Sequence, residues 1–130
     1  MKKQMYVSLW LGNIESRDAL EEYTELDYSL EDAPLASPFT EEFGIDTDDI
    51  DEDFVERAFS NVSANNLSHH LSCCSYEDAV IPAFQKLLGE YLPKEYNAMI
   101  LVYDYQYDAA NAPANSAFDF IGSVQIGYDD

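Results

Sequence analysis

The sequence predicts an α+β domain: a small, mostly antiparallel sheet of three to five strands with two to four helices packed on one face. Three observations carry that expectation. Gln4 to Leu11 alternates apolar and polar residues and is rich in β-formers. Two apolar runs of strand length, Asn97 to Tyr107 and Phe118 to Ile126, flank a polar, small-residue loop near the C-terminus. Between the first strand and that pair, short segments carry helix start and stop signals.

The first strand sets Met5, Val7, Leu9 and Leu11 against Tyr6, Ser8 and Trp10, and Gly12-Asn13 ends it. Ser16 then caps a helix over Arg17 to Tyr23, with Ala19, Leu20 and Tyr23 as its apolar face. Residues 24–36 are acidic and irregular, with a short extended piece expected around Tyr28. Ser37-Pro38-Phe39 is a second start signal: a Ser cap, a Pro at the first helical position and acids in the first turn. Phe39 and Phe43 fall four apart on one face, and Gly44 closes the helix.

A loop, GIDTDDIDEDFVE, follows from Gly44 to Glu56, and FVERAF after its last acids reads equally as helix or strand. Residues 60–74 carry no clear pattern. Ser75 with Asp78 resembles a capping box ahead of a helix over Ala79 to Leu92, whose buried stripe would be Val80, Phe84, Leu87, Leu88 and Tyr91. Pro82 should kink that helix or delay its start. The near-continuous apolar centre of Asn97 to Tyr107 predicts an internal strand. The loop after it, DAANAPANSA, predicts an antiparallel pairing with the strand at Phe118 to Ile126.

At 130 residues, with 47% hydrophobic and 14% aromatic residues, residues 1–130 are expected to form a single folded domain rather than a disordered chain. The net charge is −20, from 26 Asp and Glu against six Lys and Arg. Nucleic acid and anionic membrane are therefore excluded as direct partners, because binding phosphate needs cations. No run approaches the roughly 18 apolar residues of a membrane span. MKKQMYVSLWLGN reads as a strand rather than a signal peptide. The two cysteines, Cys73 and Cys74, are neighbours and form no disulfide framework, so a reducing cytoplasm is expected.

The charge is regional. Glu15 to Glu56 holds 17 acidic residues and one base, Arg17; the other 88 residues hold nine acids and five bases. Such a distribution focuses potential on one part of the surface and suits a basic protein or a metal ion. An EF-hand register fails. Starting at Asp49 puts Phe54 and Ser60 where Gly and Glu are required, and starting at Asp46 puts Ile50, Asp51 and Arg57 at positions 5, 6 and 12. An irregular oxygen-rich calcium loop stays open as an alternative.

Chemistry-bearing motifs are few. The sequence has no Gly-rich phosphate loop, no nucleophile elbow and no HExxH. On a helix, His69 would face Cys73 and His70 would face Cys74, half of a zinc site that carboxylates would have to complete. Incidental clustering is the plainer explanation, and no metal ligand is assigned. Tyr103, Tyr105 and Tyr107 should share one face of their strand. With Trp10 they form either core or an aromatic contact surface, since Tyr and Trp serve as interface anchors.

Taken in order, VSLWLGN, SPFTEEFGI, DEDFVE, Ser75-Tyr76, NAMILVYDYQY and FIGSV resemble the immunity protein 22 family of bacterial polymorphic toxin systems, over about Val7 to Val124. The family's motif residues correspond here to Trp10, Ser37, Phe39, Phe43, Gly44, Asp51, Asp53, Phe54, Tyr103 and Gly122. The resemblance implies a cytoplasmic antidote that binds and blocks a toxin domain, often a nuclease, delivered by neighbouring cells. It implies no catalysis and no obligatory cofactor. On this reading the partner is a basic toxin domain. Asp46, Asp48, Asp49, Asp51, Glu52 and Asp53 would supply charge, with Trp10, Tyr103 and Tyr105 as aromatic anchors. The alternatives are an acidic binding module or DNA mimic for another basic protein, or a metal-binding protein or enzyme built on the carboxylates and the His/Cys cluster.

Overall fold

A computed structural model describes residues 2–25, 37–72, 74–113 and 115–129. Four strands form one antiparallel sheet: β1 (Lys2–Gly12), β2 (Val55–Asn66), β3 (Tyr91–Tyr103) and β4 (Phe118–Asp129), in the order β2-β3-β1-β4. Four helices among the described residues complete the predicted α+β class: α1 (Arg17–Thr24), α2 (Pro38–Phe43), α3 (Leu67–Leu71) and α4 (Glu77–Leu88). They divide between the two sides of the sheet rather than gathering on one. Val7, Leu9 and Leu11 of β1 pack with Leu67, Leu71, Val80 and Phe84 of α3 and α4. Trp10 of β1 packs with Leu20, Phe39 and Phe43 of α1 and α2. Alternation in β1 thus feeds two cores, one on each face.

The local signals for α1 and α2 hold. Ser16 and Ser37 accept hydrogen bonds from the backbone N–H groups of Ala19 and Thr40. Gly44 ends α2 in the left-handed region at φ 66°, where a side chain would be strained. FVERAF resolves as strand from Val55 on, and β2 runs through the unreadable stretch to Asn66, which precedes α3. The extended piece expected around Tyr28 lies outside the described residues.

Several expectations fail where long-range contacts override local pattern. β3 and β4 do not pair: β1 lies between them and is antiparallel to both. Ser75 is not half of a capping box. Its backbone N–H and hydroxyl both donate to Glu56, and α4 starts at Glu77 with no side-chain cap. α4 ends at Gly89 (φ 84°), so Tyr91 and Leu92 belong to β3. Val80 and Phe84 are buried as expected, but Leu87 and Tyr91 are exposed. Pro82 is accommodated inside the helix.

One irregularity tunes the sheet. Leu9 pairs with Gly122 but Trp10 pairs with Phe120, so Ile121 is an extra residue in β4. The bulge changes which face the residues on either side of it address. Phe118 and Phe120 therefore join Trp10, while Val124 and Ile126 join the opposite core. Gly12 permits the return of the chain into β4, because a Cβ there would lie 2.4 Å from the Ala117 carbonyl oxygen.

Candidate partner-binding surface

The acidic segment is a loop, as expected, built from two tight turns in tandem. Asp46 Oδ1 accepts from the Asp48 N–H at 2.9 Å and opens a 3₁₀ turn at Thr47–Asp49. Asp51 Oδ1 accepts from the Asp53 N–H at 3.0 Å beside a second turn at Glu52–Phe54. These are the local side-chain-to-backbone bonds that Asp favours outside helices. Ile45 is buried and Ile50 packs inward against the Trp10 core. The apolar residues pin the segment down, and Asp46, Asp48, Asp49, Asp51 and Asp53 are left exposed.

The segment leads into β2 beside the end of β3, where Val55 pairs with Val102. Ser8, buried in β1, donates to the Tyr105 carbonyl at 2.7 Å and accepts from the Tyr107 N–H at 3.1 Å, which ties the chain after β3 across the sheet end. Tyr105 is half-buried there; burial first, then the carboxylates of Asp49 and Asp46, push its phenol above the usual tyrosine range.

Beside the loop opens a groove of about 410 Å³. Tyr103 lies in its floor, 5% exposed, with its hydroxyl 2.6 Å from Glu56 Oε1 and 2.7 Å from the Ser75 carbonyl. Burial, and next the bond to Glu56, push this phenol well above its ordinary value, so it stays a donor. Glu56 also accepts from the Ser75 N–H at 2.9 Å and the Ser75 hydroxyl at 2.6 Å, so its carboxylate is occupied within the chain. Phe54 and Tyr76 line the same groove, 48% and 49% exposed, and Tyr76 stands edge-on to Tyr103 with ring centres 6.1 Å apart. Asp53 and Asp104 complete the rim.

Backbone strain gathers here. Among the described residues, the only non-glycine residues at positive φ are Tyr76 and Asp104, both at 59°, and both line the groove. Left-handed backbone costs an L-residue roughly 1–2 kcal/mol, least for Asp and Asn, which makes a tyrosine there the more unusual.

The other predicted anchors fare differently. Trp10 is 0% exposed, ringed by Phe39, Phe43, Tyr107 and Phe120 at centroid distances of 4.9 to 5.8 Å. It is core, with no surface to offer a partner. Tyr103, Tyr105 and Tyr107 do not share a strand face, because β3 ends at Tyr103 and Asp104 turns the chain. Tyr103 enters one core and Tyr107 the other, where the Tyr107 hydroxyl donates to the Phe43 carbonyl at 2.5 Å. Sequence reasoning missed Phe54 and Tyr76 as exposed rings. The one available signal was position: Phe54 is the aromatic embedded in the acidic run.

Of the His/Cys cluster, the expected pairing of His70 with Cys74 does not form. α3 ends at Leu71, so His70 and Cys74 are not on one helical face. His70 is buried with Nε2 2.7 Å from the Ala64 carbonyl, and burial lowers its pKa. Cys74 is buried and free, and burial lifts its thiol to about 11. Cys73 lies outside the described residues. Among the described residues, no group of three or more His, Cys, Asp or Glu side chains is arranged to hold a metal ion. No helix among them is long and apolar enough to cross a membrane.

A family model described as Immunity protein 22 matches residues 7–126 of the chain. No curated protein and no solved structure matches it.

Proposed function

From the premise that the chain belongs to the immunity protein 22 family, we propose that it blocks a basic toxin domain, a nuclease, by docking the acidic end of its sheet onto the toxin's cationic surface. Membership itself assigns the immunity role and a toxin as the partner. The finer reading rests on one observation. Five exposed carboxylates, from Asp46, Asp48, Asp49, Asp51 and Asp53, are carried by one loop, and the last of them lines a groove that presents two open aromatic rings.

The physical logic favours a nuclease. A site that binds phosphates is lined with Lys and Arg. Carboxylates held on a folded surface can take the place of those phosphates. They also speed encounter, which matters when a toxin must be caught before it cuts. Such an inhibitor works in the cytoplasm, where the toxin's substrate is, and acts by binding alone.

The test uses the cognate toxin domain. Replacing Asp46, Asp48 and Asp49 with Lys should slow association by roughly tenfold or more at low salt and flatten its dependence on ionic strength. An unchanged rate and an unchanged salt dependence would rule the acidic segment out as the docking surface. A toxin that carries no nuclease activity would remove the nuclease assignment and leave the docking question standing.

A further inference from the structure

We infer that the groove between Phe54 and Tyr76 is a socket for a single arginine side chain of the toxin. This rests on the inhibitor reading above and names what that surface grips. The groove's volume of about 410 Å³ lies within the roughly 300–1,000 Å³ spanned by small-molecule pockets and has ample room for a guanidinium and the stem that carries it.

Its walls and rim select the chemistry. Phe54 and Tyr76 leave about half their surface open, although apolar rings are normally covered. Asp53 and Asp104 are exposed at the rim. Glu56 is not a docking acid, since its oxygens already accept from Ser75 and Tyr103; it holds the floor instead. A guest must therefore lay an apolar or π surface against two rings and present positive charge to two carboxylates. Guanidinium does both: it is planar, weakly hydrated, stacks on rings and pairs with carboxylates through a fixed fork of donors. The lysine ammonium is a strongly hydrated point charge and fits the rings poorly.

The strained backbone is a second, separate observation. Tyr76 and Asp104 supply one wall and one rim carboxylate, and both are held in left-handed conformation. Strain of this kind persists where the surrounding fold over-determines it, and it concentrates at binding sites. A socket fixed in advance spares its guest the entropy of ordering it.

Three small probes test the socket on the whole chain without any toxin: N-acetyl-arginine amide, its lysine counterpart and its uncharged citrulline counterpart. Each is titrated at low salt into isotope-labelled protein and followed by amide chemical shifts. The arginine compound should give saturable shifts centred on Phe54, Tyr76 and Asp104. The lysine compound should bind several-fold more weakly, and citrulline should give no localised shift. Asp104→Asn keeps a residue that tolerates the left-handed backbone, so it should weaken arginine binding several-fold without lowering the unfolding temperature. Equal responses to arginine and lysine, shifts scattered over the acidic surface, or no localised shift with any probe would overturn the socket. Any of these would leave the inhibitor reading intact, because that reading fails only if charge reversal leaves toxin association unaltered.

Discussion

Two groups of aromatic rings divide the labour of this molecule. Around Trp10, the rings of Phe39, Phe43, Tyr107 and Phe120 close on one another, and Trp10 has no exposure at all. At the groove, Phe54 and Tyr76 stand half open beside carboxylates. The residue types are the same; the backbone beneath them is not. Most of the closed cluster is mounted on β1, α2 and β4, regular elements of which α2 is capped at both ends. The open pair is mounted on connections: the turn before β2 and the strained residue before α4. Regular elements bury apolar area cooperatively, whereas connections can afford exposed rings at fixed angles. The difference teaches that regular elements close aromatic rings into core, whereas a connection can bury a ring, as at Tyr107, or leave it open, as at Phe54 and Tyr76.

Truncating the closed cluster should have the largest effect. Trp10→Ala removes a fully buried ring and leaves a cavity between α2 and the sheet, which should cost about 3–5 kcal/mol of stability in urea unfolding. Toxin binding should fall only as far as the folded fraction falls. A Trp10→Ala protein that stays as stable as the parent would break the contrast from the core side.

Phe54→Ala should behave in the opposite way. A half-exposed ring contributes little to folding, so stability should stay within about 0.5 kcal/mol. Toxin affinity should fall by about tenfold or more, roughly 1.4 kcal/mol, as for an interface anchor. Calorimetry of binding alongside thermal unfolding reads both quantities. If Phe54→Ala unfolds the protein as Trp10→Ala does, the groove is merely a thin part of the core.

How much of this was legible in the sequence depends on how local the cause is. Ser16, Ser37, Pro38 and Gly44 act within one turn of chain, and the helices they delimit lie where the sequence puts them. The insertion of β1 between β3 and β4 depends on contacts across most of the chain, and adjacency in sequence pointed to the wrong neighbour. Ser75 had a local partner in Asp78 and a distant one in Glu56, and the distant one prevailed. Gly89 did announce the end of α4, but the apolar Tyr91 and Leu92 beyond it continued the helical pattern and obscured it. At the site, the acidic segment was legible because charge density is a property of composition. The groove was not, because its rings and acids come from three separate connections. Period-two reasoning put Tyr103, Tyr105 and Tyr107 on one face; a single left-handed residue, Asp104, undid it.

That same residue offers the smallest and most discriminating measurement. Asp104→Gly removes a side chain from left-handed backbone, relieving roughly 1 kcal/mol of strain. Glycine's greater freedom in the unfolded chain takes back about 0.5 kcal/mol or more. Losing one negative charge from a chain of net −20 also eases self-repulsion. The net expectation is a small gain in stability, a few tenths of a kcal/mol, and at the same time a weaker grip on the toxin. A core residue cannot show that pair of signs, because in the core the contacts that stabilise are the contacts that are lost. If Asp104→Gly lowers both stability and affinity, the groove belongs with Trp10 as structure. If stability rises while affinity falls, the strain at Asp104 is maintained by the fold for the sake of the surface it builds.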